Sequence, residues 1–109
     1  YSPGIRWGDL IFVSGQGPID RDGNIVPGTI ESETALTMAN IASILEAAGS
    51  SLDQVLSCSC FLADIAEFDR FDSAYAAAFG GHRPTRTTVV AALGGIRVEI
   101  SAIAVRKAR

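Results

Sequence analysis

The stretch HRPTRTTVVAALGGIRVEISAIAV, residues 82–105, decides the fold of this chain. Its β-branched and apolar runs predict two strands, Thr87–Leu93 and Ile96–Val105, and the glycine pair at positions 94 and 95 predicts a tight turn between them. Each strand carries a charged residue that core strands rarely contain, Arg86 at the entrance of the first and Glu99 within the second. A hairpin would bring this arginine and this carboxylate close together. The stretch therefore predicts a small polar site in an apolar wall.

Length and composition indicate one domain that favours self-association. The 109 residues have the size of one domain, so residues 1–109 are expected to fold as a single unit. Hydrophobic residues make up 48% of the chain, which favours burial against further copies, although the high alanine content is a simpler explanation. The net charge is −3 and basic residues cluster only in the tail 106–109, which argues against a nucleic-acid partner. No apolar run approaches the roughly 18 residues of a membrane span, so no membrane partner is expected.

The cysteines and the first residue bear on the compartment. Alternation places four residues on one side of a predicted strand, namely Leu56, Cys58, Cys60 and Leu62. The two cysteine Cα atoms would lie about 6.6–7 Å apart, near the upper limit for a disulfide, so we expect buried thiols in a reducing, cytoplasmic setting. His82 is the only histidine, so no metal site is expected. The chain opens at Tyr1 without a methionine or a signal-peptide pattern, so the natural N-terminus is expected to lie upstream.

The remaining segments predict two helices and further strands. Apolar residues between positions 29 and 48, and aromatic residues between 67 and 79, recur at helical spacings of three and four. The predicted elements are a hairpin of Ile5–Trp7 and Leu10–Ser14, a short strand at Ile25-Val26, a helix at Thr29–Ala48, a strand at Gln54–Ala63 and a helix at Glu67–Phe79. This order predicts an α+β sandwich of two layers, with both helices on one face of a mixed, mainly antiparallel sheet. The last strand has apolar residues on both sides, so we expect the other face to pack against another subunit.

Four residues are candidates for a site, and each has a structural alternative. An arginine fork matches a carboxylate, but Arg86 can equally form an intramolecular ion pair, with Glu99 as one partner, or reach water. Glu99 can be such a partner, an outward-facing carboxylate or a base that positions water. Ser14 can donate a hydrogen bond to a ligand from a strand end, and Tyr1 offers a phenol. No Ser–His–Asp set, glycine-rich phosphate loop or metal constellation is present.

Motifs along the whole chain resemble those of one protein family. They are Tyr1-Ser2, Val13-Ser14-Gly15-Gln16, Asn40-Ile41 with Leu45–Gly49, Phe61–Asp64 with Phe68, Tyr75 and Phe79, Arg83–Val89, and Val98–Val105. In this order they resemble the Rid family, the reactive-intermediate (imine/enamine) deaminases, also called YjgF-like and formerly L-PSP endoribonucleases. No single fragment is unique to that family, but together the motifs span essentially all 109 residues.

The resemblance implies a fold, an assembly and an activity. The fold would be chorismate-mutase-like, and three copies would form a homotrimer whose sheets line a central barrel, with a pocket in each subunit interface. The activity would be that of a 2-iminobutanoate/2-iminopropanoate deaminase, which hydrolyses 2-imino and 2-aminoacrylate-type acids to 2-keto acids and ammonia without a cofactor. A trimeric module that binds keto or amino acids without turnover is the alternative. The acidic charge and the lack of a histidine pair argue against the older ribonuclease label.

The resemblance also implies a role for each site residue. Arg86 would bind the substrate carboxylate, and Glu99 would hold the attacking water. The pocket would be lined by Tyr1 and Ser14, with backbone amide groups from Gly15 and Thr88.

Four positions depart from the family pattern. Thr88 replaces a frequent cysteine, with little expected effect because the position mainly offers its backbone. Asp72 stands where an asparagine is usual, and Ser101 where a second glutamate is usual. The short Gly94-Gly95 turn replaces a loop that commonly carries a proline. Since this turn shapes one rim of the pocket, the substrate preference does not follow from the family.

Overall fold

The fold, described by a computed structural model for residues 1–108, is a sheet with helices packed on one side. Within that range the chain forms β1 Gly4–Trp7, β2 Leu10–Gln16, α1 Ile30–Ala47, β3 Val55–Leu62, α2 Phe68–Phe79, β4 Thr85–Val90 and β5 Val98–Val105. The strand order is β1-β2-β5-β3-β4, in which β3 and β4 pair in parallel and the other neighbours pair antiparallel. Both helices share one core with the sheet. The predicted α+β sandwich with a mixed, mainly antiparallel sheet is confirmed.

The predicted hairpin of the two closing strands is wrong, because β3 lies between them. Cys58 of β3 pairs with Arg86 of β4 on one side and with Ala102 of β5 on the other. The segment 91–97 passes around the end of β3, where the backbone N–H of Ala91 donates to the Leu62 carbonyl at 2.9 Å. The helix α2 connects β3 to β4, which is the usual crossover between parallel strands. Arg86 is therefore the second residue of an edge strand, two strands away from Glu99.

The first hairpin is confirmed, and its second strand contains an irregularity. Trp7 pairs with Leu10 across the Gly8-Asp9 turn, and Gly8 has a φ of 59°, which glycine adopts without strain. The register between β2 and β5 shifts between Val13 and Gln16. A bulge of this kind redirects side chains and is common beside functional sites. It spans positions 14 and 15, which belong to the predicted pocket. The short strand at residues 25–26 is reduced to one bridge between residues 19 and 25.

The helices begin and end close to their predicted limits. Thr29 caps α1 in a reciprocal pair with Ser32, because each backbone N–H donates to the other's hydroxyl, at 3.0 and 3.1 Å. In α2 the aromatic residues at every third or fourth position face the sheet, and Phe71, Tyr75 and Phe79 are buried. The aromatic stripe is therefore core packing, as its spacing predicts.

The predicted faces of β3 need one correction. Leu56 is 48% exposed, whereas its neighbour Val55 is buried. The cause is a shift in register between Val55 and Ser57, where β3 meets β5, because an irregularity of one residue reverses the alternation beyond it. Cys58 and Cys60 are buried on the helix side as free thiols, as predicted.

The sheet face away from the helices is partly apolar. Large exposed side chains of β1 and β2 on this face are Ile5, Trp7 and Phe12. Toward the other end of the sheet the same face also carries polar residues, which are Ser59, Ser101, Thr87 and Glu99, beside the apolar Phe61 and Val89. We refer to it as the open face. Neither helix within residues 1–108 has the length and apolar character to cross a membrane.

Candidate functional site

The arginine predicted to bind a carboxylate is held in one direction by aromatic rings. The Arg86 guanidinium carbon lies 4.9 Å from the Tyr75 ring centroid, 5.5 Å from that of Phe68 and 5.6 Å from that of Phe71. Arg86 Nη1 also donates to Asp72 Oδ1 at 2.6 Å. Ring faces attract a cation and restrict its rotation. Of the structural alternatives for Arg86, an intramolecular ion pair is therefore present, but its partner is Asp72 of α2 and not Glu99.

These residues form what we call the arginine half of the site, defined as Phe68, Phe71, Asp72, Tyr75 and Arg86. A cavity of about 330 Å³ opens beside the last three, and Ala76, Arg83 and Pro84 complete its lining. One Asp72 oxygen occupies Nη1, and Arg86 forms no second ion pair among residues 1–108. Because a guanidinium has five N–H donors, most of them remain available to a further acceptor.

Neutral groups lie beneath the arginine. Burial raises the pKa of the Cys60 thiol to about 12, and burial likewise raises the pKa of Cys58. Burial is also the main cause that raises the pKa of the Tyr75 phenol well above its usual range. All three groups are therefore uncharged at neutral pH. None of them competes as an anion for Arg86.

Thr88 lies two residues beyond Arg86 on β4, so its side chain faces the helices as well. Its buried hydroxyl has no hydrogen-bond partner within the described chain. The Ala91 N–H points to β3, so the two-residue alternation of a strand directs the N–H groups of Thr88 and Arg86 to the free edge of β4. The backbone N–H of Thr88 is thus free of the sheet and can donate to a ligand, as its predicted contribution requires.

The carboxylate predicted to hold water lies on the open face, next to the bulge of β2. A methyl group on Gly15 would lie 2.8 Å from Glu99 Oε2, so the glycine leaves room for this side chain. Glu99 is half-buried and forms no ion pair among residues 1–108. We call Gly15 and Glu99 the glutamate half. An unpaired carboxylate at a partly covered position can accept a hydrogen bond from water.

The other two predicted pocket residues lie near this second half. The Ser14 hydroxyl donates to the Ser2 carbonyl at 2.6 Å, which ties the N-terminal segment to the bulge and commits the proton of that hydroxyl. The Tyr1 side chain is 96% exposed and lines a groove with Gln16 and Asn40. Both residues are therefore beside the glutamate half, at the opposite end of the strand order from β4.

Within one chain the two halves do not meet. Arg86 pairs with Cys58, whereas Glu99 pairs with Phe61, so the two residues differ by two strands and three positions along the strands. Strand spacing and rise separate their Cα atoms by about 10 Å in each direction. Their side chains also point to opposite faces, toward α2 for Arg86 and toward the open face for Glu99. Within one copy, Arg86 and Glu99 therefore cannot contact the same small ligand.

Sequence reasoning identified Arg86 but missed what holds it. The family pattern marks Asp72 only as a departure and gives it no partner, and the helical spacing of Phe68 and Phe71 indicates only a shared helix face. Their i, i+3 spacing with one another and the position of Asp72 four residues after Phe68 place all three on neighbouring parts of one helix surface. The sequence alone indicates that arrangement, but it does not indicate that α2 packs against β4. Within residues 1–108 no group of three or more His, Cys, Asp or Glu could hold a metal ion.

Comparisons with known proteins agree with this fold. The sequence profile of the family described as Endoribonuclease L-PSP matches residues 1–106. A relative named mmf2, mitochondrial, from Schizosaccharomyces pombe is 40% identical, over 95% of this chain and 86% of that protein. The structure of E. coli TdcF with bound serine has a TM-score of 0.89 and 31% identity, over 98% of this chain and 88% of that one. The structure of RidA from an Antarctic Psychrobacter has a TM-score of 0.90 and 31% identity, over 96% and 87%.

The fold and the site thus define a class of protein. Its members are two-layer α+β chains in which aromatic rings hold an arginine on an edge strand. This chain belongs to the Endoribonuclease L-PSP family, which includes proteins named Rid. The family resemblance predicted from the motifs is confirmed.

Proposed function

We propose that the chain hydrolyses 2-imino and enamine acids, of the 2-iminopropanoate and 2-iminobutanoate type, to 2-keto acids and ammonia without a cofactor. The observation that carries this proposal is the Arg86 guanidinium, which three rings hold beside a cavity with most of its donors available. A fixed planar fork matches a carboxylate through two parallel hydrogen bonds. The ligand is therefore a small carboxylate-bearing imine or keto acid.

The main contribution of the protein to this reaction is to position the imine and the water. The imine carbon is electrophilic, so a water oxygen bonds to it, the C–N bond breaks, and the nitrogen leaves as ammonia with protons that come from the water. Arg86 fixes the carboxylate next to that carbon, and Glu99 holds and orients the water. The backbone amides of Gly15 and Thr88 line the pocket. Holding both reactants in place converts an encounter in solution into an effectively unimolecular step.

The site requires a second copy in this proposal. The arginine half and the glutamate half lie on opposite faces of one sheet, so the halves that work together belong to different chains. Three copies form a homotrimer that covers the open faces, including Trp7, which is 74% exposed in the single chain. Each interface then joins one arginine half to one glutamate half. Apolar surface of this kind is typical of a face that another subunit covers.

The test measures turnover of 2-iminobutanoate generated in situ by an amino-acid oxidase. We expect Arg86→Ala to lower kcat/KM at least about 100-fold, because it removes a charge-assisted contact from a largely desolvated site. Arg86→Lys keeps the charge but loses the fork, so it is also impaired. Glu99→Gln is expected to lower kcat about 10- to 100-fold. Arg70→Ala and Glu46→Gln remove exposed charges of the same type and should behave like the unaltered protein.

Thermal unfolding of each variant shows whether the fold is intact. An Arg86→Ala protein that folds normally and keeps full activity would refute the assignment of Arg86.

A second candidate is a binding module without turnover, favoured by the bound serine named for TdcF, since serine also carries an α-carboxylate. Calorimetry with 2-oxobutyrate beside the turnover assay separates the two. Binding through Arg86 in a protein without imine turnover would support the module.

The family description also names an endoribonuclease. The same Arg86→Ala variant addresses this activity, because RNA cleavage that survives both the substitution and stringent purification would require a different site. We further propose a reducing, cytoplasmic location, based on the two free buried thiols. The name of mmf2 marks that relative as mitochondrial. Microscopy of the natural full-length protein with a C-terminal tag distinguishes the two compartments.

A further inference from the structure

A carboxylate of the chain itself occupies the arginine. Asp72 Oδ1 lies 2.6 Å from Arg86 Nη1, at a cavity of about 330 Å³ that both residues line. Asp72 thereby makes the contact that one oxygen of an incoming carboxylate would make. Two carboxylates on one guanidinium repel one another, so a ligand must compete with this side chain.

The aspartate is the movable member of the pair. Rings of Phe68, Phe71 and Tyr75 hold the guanidinium, and the Arg86 side chain is only 23% exposed. The Asp72 side chain is 49% exposed and forms no other ion pair within the described residues. A change of side-chain rotamer moves Asp72 into water, whereas Arg86 would have to leave three ring faces. A ligand that takes the Nη1 donor therefore displaces the aspartate and leaves the arginine where it is.

The fold does not depend on this contact. The helix α2 is anchored by the buried Phe71, Tyr75 and Phe79, and its link to the 91–97 segment runs through Glu67, which accepts from Arg97 Nη1 at 3.0 Å. An asparagine at position 72 would keep the size of the side chain and an oxygen acceptor, but without the charge. The charge of Asp72 acts on whatever binds at Arg86.

We propose that Asp72 is an internal competitor for Arg86 that weakens carboxylate binding and selects against ligands with a second negative charge. The proposal rests on the proposed function of Arg86 as the carboxylate-binding residue. An incoming monocarboxylate displaces Asp72, which remains at the rim of the cavity as a negative charge. The second carboxylate of a dicarboxylic imine or keto acid meets this charge. Asp72 thus favours substrates whose side chain carries no negative charge.

The test compares Asp72→Asn with Asp69→Asn, which removes an exposed charge from the same helix three residues earlier. Calorimetry uses 2-oxobutyrate as the monocarboxylate and 2-oxoglutarate as the dicarboxylate. We expect Asp72→Asn to bind 2-oxobutyrate about three- to tenfold more tightly, the size of one partly screened charge interaction, and to gain more for 2-oxoglutarate. In turnover KM should fall while kcat stays unchanged. Asp69→Asn should match the unaltered protein.

Stability gives a readout that a structural ion pair would move differently. Asp72→Asn leaves Arg86 with an uncharged partner, so the thermal midpoint of the variant should be equal or lower while its ligand affinity rises. A pair that only stabilises the fold would lower both. Asp72→Ala provides a second variant without the charge, should the amide form a contact of its own.

The outcomes separate this inference from the proposed function. If Arg86→Ala abolishes binding but Asp72→Asn binds no more tightly than the unaltered protein, the competitor is refuted and the function stands. An equal gain in Asp69→Asn also refutes it, since the effect would then be general charge. If Arg86→Ala binds both ligands as well as the unaltered protein does, the proposed function fails and the competitor fails with it.

Discussion

The arginine half and the glutamate half are held in place by different means. Arg86 is surrounded by three rings and paired with Asp72, so its direction is set before any ligand arrives. Glu99 has no ion pair among residues 1–108, and its position depends on the space that Gly15 leaves in the β2 bulge. In the proposed reaction, carboxylate binding would thus rely on a guanidinium already fixed within one chain, whereas placement of the water would rely on a gap. The two halves should therefore respond to different kinds of substitution.

In the glutamate half, the larger effect is expected from filling that gap. Gly15→Ala would bring a methyl group 2.8 Å from Glu99 Oε2, and the flexible carboxylate would move rather than the backbone. We expect kcat to fall about 10- to 100-fold, because the water loses its positioned acceptor. Calorimetry should still detect 2-oxobutyrate, since Arg86 is unaffected.

Gly81→Ala is the matched control, because a methyl group there meets nothing within 4 Å. It should retain full turnover. If Gly15→Ala kept the kcat of this control, the account of Glu99 as held by a gap would be wrong.

A smaller effect, on stability, is expected from the buried thiols of Cys58 and Cys60 beneath Arg86. Burial raises the pKa of Cys58 and Cys60 in the folded chain above the ordinary value of 9.0. As pH rises above about 9, the unfolded chain therefore loses thiol protons that the folded chain keeps, and unfolding becomes more favourable. The free energy of unfolding should fall by about 1 kcal/mol between pH 8 and pH 10 on account of Cys60, and Cys58 should add to the fall in the same direction. Urea unfolding at several pH values measures this decline.

The variant Cys60→Ala serves as the control for that decline. It should unfold more easily at pH 8, but its stability should fall less steeply toward pH 10. An equal slope in both proteins would show that the thiol is not kept neutral by burial.

Local patterns in the sequence were sufficient for both helices and for five strands, but neither for the short strand expected at residues 25–26 nor for the pairing of the strands. The helix α1 follows from its apolar spacing and its cap at Thr29, and the first hairpin from the turn at Gly8-Asp9. The adjacency of β4 to β3 could not be predicted, because parallel pairing across α2 depends on packing between segments distant in sequence. The tight turn inferred from Gly94-Gly95 is instead a segment that passes around β3. Both glycines do have positive φ, at 66° and 112°.

The site shows the same division between local and distant information. Arg86 and Glu99 were recognisable as charged residues in apolar strands, and the family motifs assigned roles to them. Their placement on opposite faces depends on the position of β3, and the Asp72 contact depends on how α2 packs against β4. Neither relation leaves a trace in the spacing of residues along the chain.

The central claim is that Arg86 of one copy works with Glu99 of another. Arg86→Ala and Glu99→Gln chains, each with a different affinity tag, are co-expressed, and mixed assemblies are purified through both tags. Since every mixed trimer contains one interface that joins the intact arginine half of one type to the intact glutamate half of the other, the purified mixed assemblies should regain about a third of the activity of the unaltered protein. Activity that stays at the level of the two parent variants in assemblies proven to be mixed would contradict the claim.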